Sequence, residues 1–151
     1  MIAYIQDVEG RTKKLQPFID DAEAGKLVIL IPEVCVTELL TLRGQLAGGD
    51  HAAALREAYL EFLREPYVVR VPVHADLAEE AGAIASAAPT KITGAPDAIL
   101  IALAASSRAV MHTYDGESKA GPLKLDGQIG TPPIRICKPD YGQDTLFASN
   151  D

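Results

Sequence analysis

The chain has 151 residues, with 21 Asp and Glu against 14 Lys and Arg, a formal charge of −7. A hydrophobic share of 48% and a charged share of 23% are those of an ordinary folded domain, which excludes a disordered or fibrous chain. The acidic balance argues against nonspecific coating of nucleic acid, which runs on Lys and Arg, and leaves room for a nuclease built on a local group of carboxylates.

In chain order, residues 11–24 carry Leu15, Phe18, Ile19 and Ala22 on one helical stripe, and Gly25 follows at a typical C-terminal position. KLVILI (26–31) reads as a strand buried on both faces, stopped by Pro32. Residues 32–46 read as a helix opened by that proline. Asp50 is placed to cap a helix over 51–65, with Leu55, Ala58, Tyr59, Phe62 and Leu63 inward and Pro66 closing it. YVVRVPV (67–73) is a second strand, and a helix at 75–87 turns Leu77, Ala81, Ile84 and Ala88 inward. Gly94, Ala95 and Pro96 lead into an apolar helix at 96–107. AVMHTYD (109–115) is a third strand, a polar loop covers 116–131, and PIRIC (133–137) is the last strand. Strands separated by helices imply crossovers and a mainly parallel sheet with helices on both faces. Ligands in such folds bind beyond the carboxyl ends of the strands.

The longest apolar stretch, Ala98 to Ala105, is far short of the ~20 residues of a membrane helix. Asp7 and Glu9 stand where a signal peptide would be apolar, and the cytoplasm is the expected compartment. Cys35 and Cys137 lie far apart in apolar surroundings and read as two buried free thiols.

Three carboxylates occupy unusual positions. Glu38 shares a helix face with Val34 and Leu42. Asp97 opens a helix whose residues 98–105 are all apolar. Asp115 ends a strand in which Thr113 and Met111 share its face. Each has a plain alternative: a solvated helix glutamate, an acid offsetting the helix dipole, and an Asx turn. Together they point to convergence at one sheet edge. Carboxylates at ~4 Å repel by roughly 4 kcal/mol per pair at an effective dielectric of ~20. A hard divalent cation such as Mg²⁺ or Mn²⁺ neutralises such a group, and beside a phosphodiester it activates water.

VCVTELL with Glu38, PDAILIALAA with Asp97, VMHTYD with Thr113 and Asp115, and the closing PIRICKPDY occur in that order, and the sequence they form resembles the PIN-domain family over nearly the whole chain. The resemblance implies an α/β fold, a three-layer α/β/α sandwich with a mainly parallel central sheet. It implies an endoribonuclease dependent on Mg²⁺ or Mn²⁺, often the VapC-type toxin of a type II toxin–antitoxin pair. Glu38, Asp97 and Asp115 would be the metal ligands, with Thr113 supporting the site through its hydroxyl. RNA is the implied substrate, and a cognate antitoxin and a second copy of the chain are the implied partners. Residues 1–141 form one such domain and 142–151 a polar tail.

The start departs from the family's pattern. MIAYIQDVEG resembles the segment that comes after an apolar first strand and its Asp, so the natural chain is expected to begin upstream of Met1. If it does begin at Met1, a catalytically impaired PIN-like interaction module is the alternative.

Other motifs carry less. His51, His74 and His112 are scattered, and His112 reads as a structural histidine in a core strand. Ser106 and Ser107 lack a nearby base. Arg11, Lys13, Lys14, Arg43, Lys119 and Lys124 could meet RNA phosphates or be ordinary solvated cations. Leu39, Leu40, Leu42 and Leu46, with the 51–65 helix, offer apolar surface for a homodimer. A phospho-receiver domain shares the topology class, but neither KLVILI nor YVVRVPV ends in the Asp that would accept phosphate.

Overall fold

A computed structural model describes residues 11–42, 49–88, 94–114 and 121–139. They fall into two units, one ending at Val71 and the other running from Pro72 to Pro139.

In the first unit, helix α1 (Thr12–Glu23) buries Ile19 and Ala22. It ends in a Schellman turn: Gly25 takes φ +72°, its N–H donates to Ala22 O at 2.9 Å, and Lys26 N–H donates to Asp21 O at 2.9 Å. Lys26 Nζ also reaches Asp21 Oδ1 at 2.7 Å, tying the same turn through side chains. Strand β1 (Ile29–Pro32) passes directly into helix α2 (Glu33–Leu42), and helix α3 (Gly49–Phe62) leads to strand β2 (Val68–Val71). The two strands pair in parallel, from Ile29 opposite Val68 to Pro32 opposite Val71.

The core of this unit is Ile19, Ile31, Val36, Leu39, Tyr59, Phe62 and Leu63. Phe62 meets Tyr67 edge to face, ring centroids 6.4 Å apart. Across the strand–helix junction, Arg70 Nε and Nη2 donate to Glu33 Oε1 and Oε2 at 3.0 and 2.8 Å. This two-pronged pair joins β2 to the first turn of α2, where an acid is also favoured by the helix dipole. Hydrogen bonding to Glu33, and then its charge, push the Arg70 guanidinium further above its ordinary value.

Local details differ from the sequence reading. The strand starts at Ile29 because β2 offers only four partner positions, so Lys26–Val28 lie before it. Val28 is 57% exposed, so KLVILI is not buried on both faces. Pro32 is the last strand residue and not a stop before it. Helix α3 starts at Gly49, so Asp50 lies inside it and not before it. Leu39 is 2% exposed and so is not surface for a partner, Leu40 is half-buried against the same core, and the side chain of Leu42 and residue Leu46 lie outside the described residues.

In the second unit, helix α4 (Ala75–Ala87) occupies the expected residues and buries Leu77 and Ala81. Its cap is His74, whose Nδ1 accepts from Leu77 N–H at 3.3 Å. Helix α5 (Ala95–Ser107) packs against α4 and against strand β3 (Met111–His112). Six of its residues are buried: Ala98, Ile99, Ile101, Ala102, Leu103 and Ala104. The helix closes at Arg108 in the left-handed region, φ 52°, and Ala109 N–H donates back to Ala104 O at 2.9 Å. A 3₁₀ turn (Pro122–Leu125) precedes strand β4 (Ile136–Cys137), which pairs in parallel with β3, Met111 opposite Ile136 and His112 opposite Cys137. Asp126 Oδ1 accepts from Ile136 N–H at 2.7 Å and so pins the turn to the start of β4. Both strand pairs are parallel, as the alternation of strands and helices requires, and the fold class is α/β.

Candidate active site

Glu38 stands on α2, between the buried Val36 and Leu39, and is half-buried with Val34. Val34, expected on the same face as Glu38, is half-buried, and the side chain of Leu42 lies outside the described residues.

Asp97 lies in the first turn of α5, half-buried, three residues after Gly94. Gly94 has no side chain to cap the helix, and Pro96 needs no N–H partner at this end. The acid is therefore the polar side chain that the sequence supplies to this first turn, directly ahead of the buried run from Ala98 to Ala104. An acid at this position also offsets the positive end of the α5 dipole.

Thr113 follows β3 directly and is half-buried. Its N–H donates to Cys137 O at 3.0 Å, one ladder step beyond the His112–Cys137 pair. The β4 backbone thus fixes where the Thr113 hydroxyl departs from the sheet. The strand itself ends at His112, shorter than the 109–115 expected.

Asp97 and Thr113 belong to the second unit and Glu38 to the first, while Asp115 lies outside the described residues, as do Arg43 and Lys119. Among the described residues no three His, Cys, Asp or Glu side chains form a group able to hold a metal ion, and Asp115 is not among them. None of the described charged side chains is fully buried, and Glu38 and Asp97 are both half-buried. The expected donor set, Glu38, Asp97 and Asp115, consists of carboxylates alone. Hard oxygen donors of this kind fit Mg²⁺ or Mn²⁺ and suit a soft metal poorly.

Three structural roles went unread in the sequence. His74 caps a helix although histidine is not a favoured cap, Glu33 pairs with a residue of another element, and Asp126 holds a strand N–H. Asp126 before Gly127 was the one local signal, a common turn dipeptide. Both cysteines are thiols outside any disulfide, half-buried where burial was expected, and His112, read as a structural histidine of a core strand, is exposed beside Cys137.

A family model for the PIN domain matches residues 1–120, a span that contains Glu38, Asp97, Thr113 and Asp115. The chain belongs to the PIN-domain family. PIN domains have a nuclease-type fold; as a family they are nucleases that act on RNA and use divalent metals. No curated protein and no solved structure matches this PIN domain. None of its described helices is long and apolar enough to cross a membrane.

Proposed function

We propose that this PIN domain is a Mg²⁺- or Mn²⁺-dependent endoribonuclease and the toxin of a type II toxin–antitoxin pair acting in the cytoplasm. The observation that carries the reading is the family match, which spans the ordered set Glu38, Asp97, Thr113 and Asp115. The same match crosses the boundary at Val71, which supports reading residues 1–120 within one domain; the proposed domain runs on to residue 141, with 142–151 as a tail.

The geometry of the second unit supports convergence of its site residues. From Asp97 to Ser107, α5 advances about 15 Å. From Ala109 to Thr113 an extended chain covers about 13 Å. With α5 packed on β3, the short turn at Arg108 sends the chain back toward the end where Asp97 stands.

Glu38, Asp97 and Asp115 are the residues that would hold the ion. When bound, a divalent cation neutralises the phosphodiester's charge and lowers the pKa of water. Thr113 donates its hydroxyl hydrogen to an adjacent carboxylate and so orients it. Water attacks phosphorus in line as the P–O bond to the leaving ribose oxygen breaks; one water proton is lost to solvent, the departing oxygen takes one up from solvent, and no side chain of the protein becomes covalently bound.

Cleavage of RNA in Mg²⁺ by the purified protein, by Asp97→Asn and by Asp115→Asn tests the proposal. Both variants should lose at least a hundredfold in rate while their circular dichroism stays that of the parent. A variant with full activity removes its residue from the site. RNA binding without cleavage by the parent would leave an interaction module. The toxin reading implies two protein partners, an antitoxin and a second copy of the chain. Light scattering of the protein alone and with the product of any small adjacent reading frame measures both.

A further inference from the structure

His112 and Cys137 stand directly opposite each other on the parallel β3–β4 pair. Cys137 Sγ lies 3.7 Å from His112 Nδ1, within hydrogen-bond reach for sulfur. The imidazole is exposed and the thiol half-buried, so a small solute can reach the pair. The proposed nuclease chemistry uses neither side chain. Cys35 differs: it packs against the apolar core of the first unit, on α2.

We propose that the His112–Cys137 pair is a thiol-modification site that reacts with low-molecular-weight disulfides. A thiol beside an imidazole gives up its proton more readily than an isolated one, and the thiolate is the nucleophile. With Nε2 protonated, Nδ1 accepts the Cys137 proton. The Cys137 sulfur then attacks one sulfur of the disulfide. A new S–S bond forms as the reagent's S–S bond breaks; the Cys137 sulfur is oxidised, and the departing sulfur is reduced and leaves as a thiolate. That thiolate takes the proton back from the imidazolium. The product is a mixed disulfide on Cys137. Because Cys137 O accepts from Thr113 N–H at 3.0 Å, the adduct sits on the residue that anchors the end of β3. The proposal does not depend on the nuclease reading.

The test uses the full chain and glutathione disulfide, with adducts located by peptide mass spectrometry over time. At pH 7 Cys137 should react at least tenfold faster than Cys35 in the same molecules. His112→Ala should slow Cys137 about tenfold at pH 7, and the two rates should converge at pH 9.5, where an ordinary thiol is ionised without help. Cys137→Ser should leave only slow labelling at Cys35. Equal rates for the two cysteines, or no effect of His112→Ala at pH 7, would overturn the assignment. A deficit that persists at pH 9.5 would also overturn it, since the histidine would then act on packing alone.

Discussion

Gly130 shows how one residue's backbone can matter more than its chemistry. It has φ +86°, and a Cβ built there would stand 3.0 Å from both Ile134 Cγ1 and Pro132 O. The conformation disfavours any other residue, and the second contact is backbone that cannot rotate away. Gly130→Ala should destabilise the protein by about 1–3 kcal/mol, read as a lower urea midpoint with unchanged slope. Little in the sequence marked this position beyond its place in a polar loop. Asp97 is the opposite case. Its neighbours Gly94, Pro96 and the apolar run from Ala98 announced a helix start with an acid in it, and the first turn of α5 is where it lies. For His112, read as a structural histidine, a strand's alternation says which residues share a face and not which face is covered. In the event β3 turns Met111 inward and His112 outward.

Among the elements, α5 was legible in full, because a helix apolar on all sides must be buried wherever it goes. Ile101 at its centre has no exposed surface and joins Ala104, Met111, Leu125, Ile134 and Ile136 in one cluster. Ile101→Ala should cost about 2–5 kcal/mol and Ile101→Val about 0.5–1.5 kcal/mol. Urea unfolding of both variants checks this, and equal losses would mean that the site collapses around the smaller side chain. At the far end of the same helix, Arg108 holds φ 52° where glycine is at ease. Arg108→Gly should raise stability by a few tenths of a kcal/mol up to about 1 kcal/mol, seen as a higher melting temperature. Helix α4 was also read to its ends, and Gly25 closes α1 by the turn its position suggested. Strands were not so legible. β1 lost Lys26–Val28, and β3 shrank to two residues, because a strand ends where its partner does.

At the scale of the whole molecule, the proposed divalent-cation site makes a prediction about stability. Binding to the folded state alone stabilises by mass action, about 2.7 kcal/mol when free Mg²⁺ is a hundredfold above its Kd. A thermal melt in rising Mg²⁺ should therefore climb for the parent and stay flat for Asp97→Asn. Parallel curves for the two would mean that the ion binds elsewhere on the surface. The sequence by itself determined the family, the α/β class and the limits of α4 and α5. Those features rest on hydrogen bonds and side-chain spacings within a few residues of each other. Tertiary structure alone decided that Arg70 clasps Glu33, that Val28 is exposed while Leu39 is buried, and that His112 meets Cys137. Each of these depends on a partner distant in the chain, and no local spacing encodes which partner that will be.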